Sequence, residues 1–193
     1  MSKNQKNVLA KIIRAVAIPP SFVIALSIFT YILHPSIFRG ITDLFAVIIF
    51  LALIPALAYP LAPILPRFKA MGRKGSRTLA FITSAVGYLG GALYSFITNA
   101  SNDLKFIFAG YFIALIMLVI FNKIFKLKAS GHACGILGPL LYAVYFLGFM
   151  WLIPCLALGA AVVWASIYRK SHTPKELVLG GLCACVGFFV GLI

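Results

Sequence analysis

A chain in which apolar runs of bilayer length follow one another almost without a break has few folds open to it. Seven such runs can be read here, at about 13–33, 41–65, 78–98, 104–125, 133–149, 152–168 and 177–193. A membrane-crossing helix needs about 20 largely apolar residues. Charged residues make up 10% of the chain and the mean hydropathy is +1.07, whereas a soluble domain is about a quarter charged. The sequence therefore predicts an all-α, polytopic transmembrane helix bundle of six to seven spans, forming a single integral membrane domain over 1–193. Pro19 and Pro20 make the first run the least regular helix, so six spans with the first segment partly in the interface is the alternative count. Gly148 and Pro154 bracket the expected turn between the fifth and sixth runs. The N-terminal lysines precede a long apolar stretch without a small-residue cleavage pattern, which reads as an uncleaved anchor.

The net charge of +14 would suggest nucleic acid in a soluble protein, but here the cations occupy short loops and no groove-reading motif accompanies them. With seven spans, fifteen of the seventeen Lys and Arg fall on one side together with the N-terminus, and Arg39 and Lys105 fall on the other. The positive-inside rule places the cation-rich side in the cytoplasm, and so predicts a multi-pass protein of the cell membrane. Such loops also attract anionic lipid headgroups, at about 1 kcal/mol per residue. The four cysteines all lie in the apolar runs without zinc-type spacing and read as small packing residues.

Two histidines stand on the cation-rich side at the mouths of apolar helices. His132 lies in KLKASGHACG (126–135). There Ser130 can cap a helix, Gly131 lets the backbone approach a ligand, and the helix N-terminus favours an anion. His172 opens HTPKELVLGG. Thr173, Pro174 and Glu176 fit a capping box, which accounts for Glu176 by itself. The spacing of four also lets Glu176 meet His172, and a carboxylate on one imidazole nitrogen leaves the other free as a nucleophile. In RFKAMGRKGSRTLAF (67–81), Lys69, Arg73 and Arg77 are four apart. They are either an ordinary basic loop or one helical face able to surround a phosphate.

These stretches resemble the membrane-bound type 2 phosphatidic acid phosphatase family, related to the vanadium haloperoxidases. The family's second motif reads Pro-Ser-Gly-His, against Ala129-Ser130-Gly131-His132 here. Its third reads Ser-Arg, five residues, His, three residues, Asp. The chain has Ala165-Ser166, five residues, His172, three residues, Glu176. The arginine of that motif is Ser166, with Arg169 three residues on, and the first motif is represented only by the 67–81 stretch. The resemblance covers about 67–193. It implies a metal-independent phosphatase that hydrolyses a lipid phosphate monoester or a polyprenyl (di)phosphate through a phosphohistidine, with no cofactor. His172 would be the nucleophile, Glu176 its orienting acid and His132 the general acid and base. Lys69, Arg73, Arg77, Lys128, Ser130, Gly131 and Arg169 would hold the phosphoryl oxygens. The alternatives are an inactive relative that binds or moves phospholipids, because Ser166 replaces the arginine, and a small transporter.

Overall fold

The computed structural model describes residues 2–193, the side chain of Lys3 excepted. Helix α1 (Lys3–Val16) begins at a reciprocal cap between Ser2 and Gln5. It stops before Pro19 and Pro20, which lack N–H groups and can only open a new helix. That helix, α2 (Pro19–Leu33), leaves at 61° to α1. The run at 13–33 is therefore a bent pair rather than one straight span. Helix α3 (Ile41–Leu61) carries a wide π-turn at Ile48–Leu53. It ends four residues earlier than expected, because Pro66 starts the short α4 (Pro66–Ala70).

Met71 and Gly72 break the chain between α4 and α5 (Gly72–Ile97), Gly72 taking the left-handed φ of 54° that glycine tolerates best. Next come α6 (Asn102–Ile124), α7 (Gly131–Leu147), α8 (Leu152–Tyr168) and α9 (Pro174–Gly191). The turn between α7 and α8 falls at Gly148, whose φ of 93° again calls for glycine.

Five helices are long and apolar enough to cross a bilayer, or six when the bent pair counts as one span. They are α3, α5, α6, α9 and α8 with the turn leading into it. The 17 residues of α7 are apolar but reach only about 25 Å, short of the about 30 Å hydrocarbon core. The chain is thus a multi-pass helical membrane protein in which five or six helices cross by length and apolar character, while the shorter α7 runs out and α8 back, bringing the starts of α7 and α9 together. Large apolar side chains such as Ile97, Met150 and Ile153 are exposed on its outside, as lipid-facing positions should be.

Inside the bundle, α5 buries Gly75, Leu79, Thr83, Gly87, Gly91 and Ser95, one residue every four. Apart from Leu79 these are small groups, which let helix backbones approach closely, and a side-chain carbon at Gly87 would stand 2.3 Å from the Phe50 carbonyl of α3. Helix α9 packs chiefly between α6 and α7, which brings the starts of α7 and α9 together at one end. At the opposite end Asp43 is fully buried. Its carboxylate accepts from the Arg39 backbone N–H and Nε (both 2.9 Å), from Arg39 Nη2 (2.6 Å) and from the Tyr94 hydroxyl (2.7 Å). Arg39 also donates to Thr98, through the backbone carbonyl and the hydroxyl. This cluster joins the entry of α3 to the exit of α5.

Candidate active site

Ser130 caps α7, its Oγ accepting from the Ala133 N–H at 3.1 Å. The first-turn N–H groups of Gly131 and His132 have no intrahelical partner and point out of the helix start. At the neighbouring mouth Thr173 caps α9 by accepting from the Glu176 N–H at 3.3 Å. The two mouths are joined by their backbones, since the Ser130 N–H donates to the Glu176 carbonyl at 2.9 Å.

The Glu176 side chain is nearly buried and does not close a capping box. One oxygen accepts from His172 Nδ1 at 2.9 Å and the other from Lys128 Nζ at 2.6 Å. The contact at Nδ1 selects the tautomer protonated there and leaves the lone pair on Nε2. His132 faces this imidazole, with ring centroids 6.4 Å apart and planes within 10° of parallel.

Both histidines line a cavity of about 440 Å³ that continues inward between α3, α5, α6 and α7. Arg73, Ser76, Arg77 and Gly131 share its mouth. Asn122, near the end of α6, ties this mouth together. Its amide donates to the Leu118 and Ala129 carbonyls at 2.9 and 3.2 Å, and its oxygen accepts from Arg77 Nη2 at 3.4 Å.

His132 stands one residue ahead of the apolar run of α7. Its pKa is pushed down to about 4, first by burial, then by the charge of Arg14 and by His172. Its Nε2 and the Nε of Arg14 are buried without a hydrogen-bond partner among the described residues. These surroundings favour a neutral imidazole among cations. An anion entering the hollow supplies the opposite field and favours the protonated form.

The histidines, Glu176, Arg73, Arg77, Ser130 and Gly131 all gather at this end, but three of the residues expected to hold phosphate are placed differently. Lys69 belongs to α4, and the break at Gly72 removes it from the face carrying Arg73 and Arg77; it does not line the cavity. Lys128 is engaged by Glu176 and also lies off the cavity wall. Arg169 turns to α1, where its Nη1 donates to Asn7 Oδ1 at 2.7 Å. Ser130 is buried and acts as the cap. Ser166, where the family motif has arginine, is completely buried. Sequence reading did not single out Asn122 or Arg14. The signal for Asn122 was one amide in an apolar run, whereas Arg14 reaches His132 only through the tertiary placement of α1.

The convergence depends on Gly180. A side-chain carbon there would meet the Ser130 carbonyl at 2.2 Å, whereas at Gly181 it would meet only the end of the flexible Leu137 side chain, at 3.3 Å. Gly180→Ala is expected to destabilise the protein by about 1–3 kcal/mol and to separate the two helix mouths, with Gly181→Ala close to wild type. Thermal unfolding in detergent measures both, and equal shifts would remove the close-approach account.

The chain matches no protein-family model, and no curated protein or solved structure matches it.

Proposed function

We propose that this protein is a membrane phosphatase of the type 2 phosphatidic acid phosphatase kind, acting on a lipid phosphate monoester or a polyprenyl (di)phosphate. The observation that carries this reading is the pair of near-parallel imidazoles in one cation-lined hollow, with His172 Nδ1 held by Glu176. His172 Nε2 attacks phosphorus, the N–P bond forms, and the ester P–O bond breaks. His132, protonated as the anionic group enters, passes its proton to the leaving oxygen. It then takes a proton from water as that water attacks the phosphohistidine, so inorganic phosphate leaves and His172 is restored. Arg73, Arg77 and the N–H groups at Gly131 and His132 offset charge on the phosphoryl oxygens. Arg14 lies near enough to add its charge to His132's surroundings.

By the positive-inside rule the hollow opens on the cytoplasmic side of the cell membrane, where a lipid's phosphate sits at headgroup level while its tail stays apolar. Glu176 is the one carboxylate at this end; Asp43 and Asp103 begin α3 and α6 at the other. A hard divalent cation needs several oxygen ligands, so turnover should proceed in the presence of chelator. The test is phosphate release by the purified protein in detergent with EDTA, from phosphatidic acid and from farnesyl phosphate and diphosphate. Release from at least one is expected. Silence toward all of them would favour an inactive, phospholipid-binding relative, for which Ser166 in place of the motif arginine is the supporting feature.

A further inference from the structure

Four tyrosines line the cavity, Tyr59, Tyr88, Tyr111 and Tyr142, and the hydroxyls of the last three are not equally served. Tyr88 is not among the described residues with a buried, unpartnered hydroxyl. The Tyr142 hydroxyl donates to the Phe106 carbonyl at 3.4 Å. Tyr111, on α6, is 6% exposed, lines the cavity, and leaves its hydroxyl without a partner among the described residues. Its ring is held on two sides, stacked on Tyr142 at 5.7 Å and edge-on to Tyr88 at 5.4 Å, so the hydroxyl cannot easily swing toward another acceptor. Space is kept beside it by Gly138, where an added side-chain carbon would come 4.0 Å from that oxygen.

A buried hydroxyl left unpaired is costly, and an orphan group in a ligand-sized cavity is most simply explained by the ligand that completes it. We infer that the Tyr111 hydroxyl forms a second, deeper polar subsite that donates to an oxygen on the tail side of the ligand. This assignment rests on the phosphatase reading for the position of the phosphate. Gly138 lies about 9 Å along α7 from His132 at 1.5 Å per residue. With the phosphorus between the imidazoles, the group facing Tyr111 lies only a few bonds below it. An acyl ester carbonyl of a glycerolipid phosphate occupies that level and accepts a hydrogen bond. A polyprenyl chain has only hydrocarbon there and would leave the hydroxyl unpaired, so the subsite favours acyl glycerolipid phosphates.

The experiment compares dioleoyl phosphatidic acid with its diether counterpart, which keeps the phosphate and the chains but lacks the carbonyls. Affinity is read from ligand-induced thermal stabilisation of the full chain in detergent, and turnover from phosphate release. The wild type is expected to bind the diester about tenfold more tightly than the diether, the scale of one net hydrogen bond. Tyr111→Phe is expected to bind both as the wild type binds the diether. Equal wild-type affinities, which would include a site filled by water alone, overturn the assignment without depending on any variant. So does a preference that survives in Tyr111→Phe. If the ester preference appears but no phosphate is released from any lipid, the phosphatase reading fails and the subsite stands. If phosphate is released without discrimination, only the subsite fails.

Discussion

Exchange of His172 for alanine should lower phosphate release by roughly 10⁴- to 10⁶-fold, the range seen when a covalent nucleophile is removed while the surrounding site stays in place. The chemistry is specific to this imidazole. Nδ1 is committed to Glu176 and Nε2 carries the lone pair, whereas His132 lacks any carboxylate contact among the described residues and burial favours its neutral form. Loss of the general acid and base alone costs less, about 10²- to 10⁴-fold, so His132→Ala should retain measurable activity. The two roles separate further with an aryl phosphate, whose leaving group needs no proton. His132→Ala then still forms the N–P bond but hydrolyses it slowly. Acid-stable quenching is unsuitable because phosphoramidates are acid-labile, so the intermediate is trapped in alkali with labelled substrate. The expected pattern is accumulated label in His132→Ala and none in His172→Ala. Wild-type turnover by His172→Ala would remove His172 as nucleophile, and label persisting in that variant would place the covalent bond elsewhere.

The features that were legible in the sequence are those governed by local spacing. Helices reveal themselves by apolar length, and α8 falls where the 152–168 run predicts it. The apolar runs at 78–98 and 177–193 begin later than α5 and α9 do, because polar first turns carrying Arg73, Arg77 and Glu176 precede them, whereas the cap signal at Thr173 and Pro174 marks the start of α9. The contact between His172 and Glu176 follows from four-residue spacing at a capped helix start. The same rule failed for Lys69 and Arg73, where Gly72 interrupts the helix that the rule assumes. Partner choice across the bundle was not legible. Lys128 could serve phosphate or a carboxylate, and only the packing of α7 against α9 brings Glu176 to it. Arg169 likewise finds Asn7 across a sequence separation of 162 residues. The orphan hydroxyl of Tyr111 is equally invisible in the sequence, since tyrosine in an apolar run gives no sign of whether its oxygen will be paired.

The other large effect is expected at the far end of the bundle, where Asp43→Ala should cost about 3 kcal/mol of stability: the buried carboxylate accepts four hydrogen bonds, each on the scale of about 1.5–3 kcal/mol for a charged group, while Arg39, 41% exposed, stays solvated when its partner is lost. An acidic residue within a membrane helix is by default a candidate for ion or proton handling, and Asp43 is the residue on which a transporter reading would rest. Its surroundings argue against that use. Four hydrogen bonds already occupy its two oxygens, and its partner Arg39 is fixed in turn by Thr98. A carboxylate so saturated has little capacity left for a passing cation, but it holds α3 against α5. Removing it leaves the Tyr94 hydroxyl and the Arg39 N–H groups without their acceptor. Removing a single donor with Tyr94→Phe should cost about 1.5–3 kcal/mol, the scale of one hydrogen bond to a charged group. Denaturant-detergent titration would rank Asp43→Ala below Tyr94→Phe, and Tyr94→Phe below Lys74→Ala as an exposed control. The same preparation separates structure from transport. In a structural role, folded Asp43→Ala kept at low temperature retains wild-type phosphate release per folded molecule, because the histidine hollow lies at the other end of α5. Wild-type stability together with altered ion uptake into vesicles would instead move Asp43 from the framework to a transport pathway.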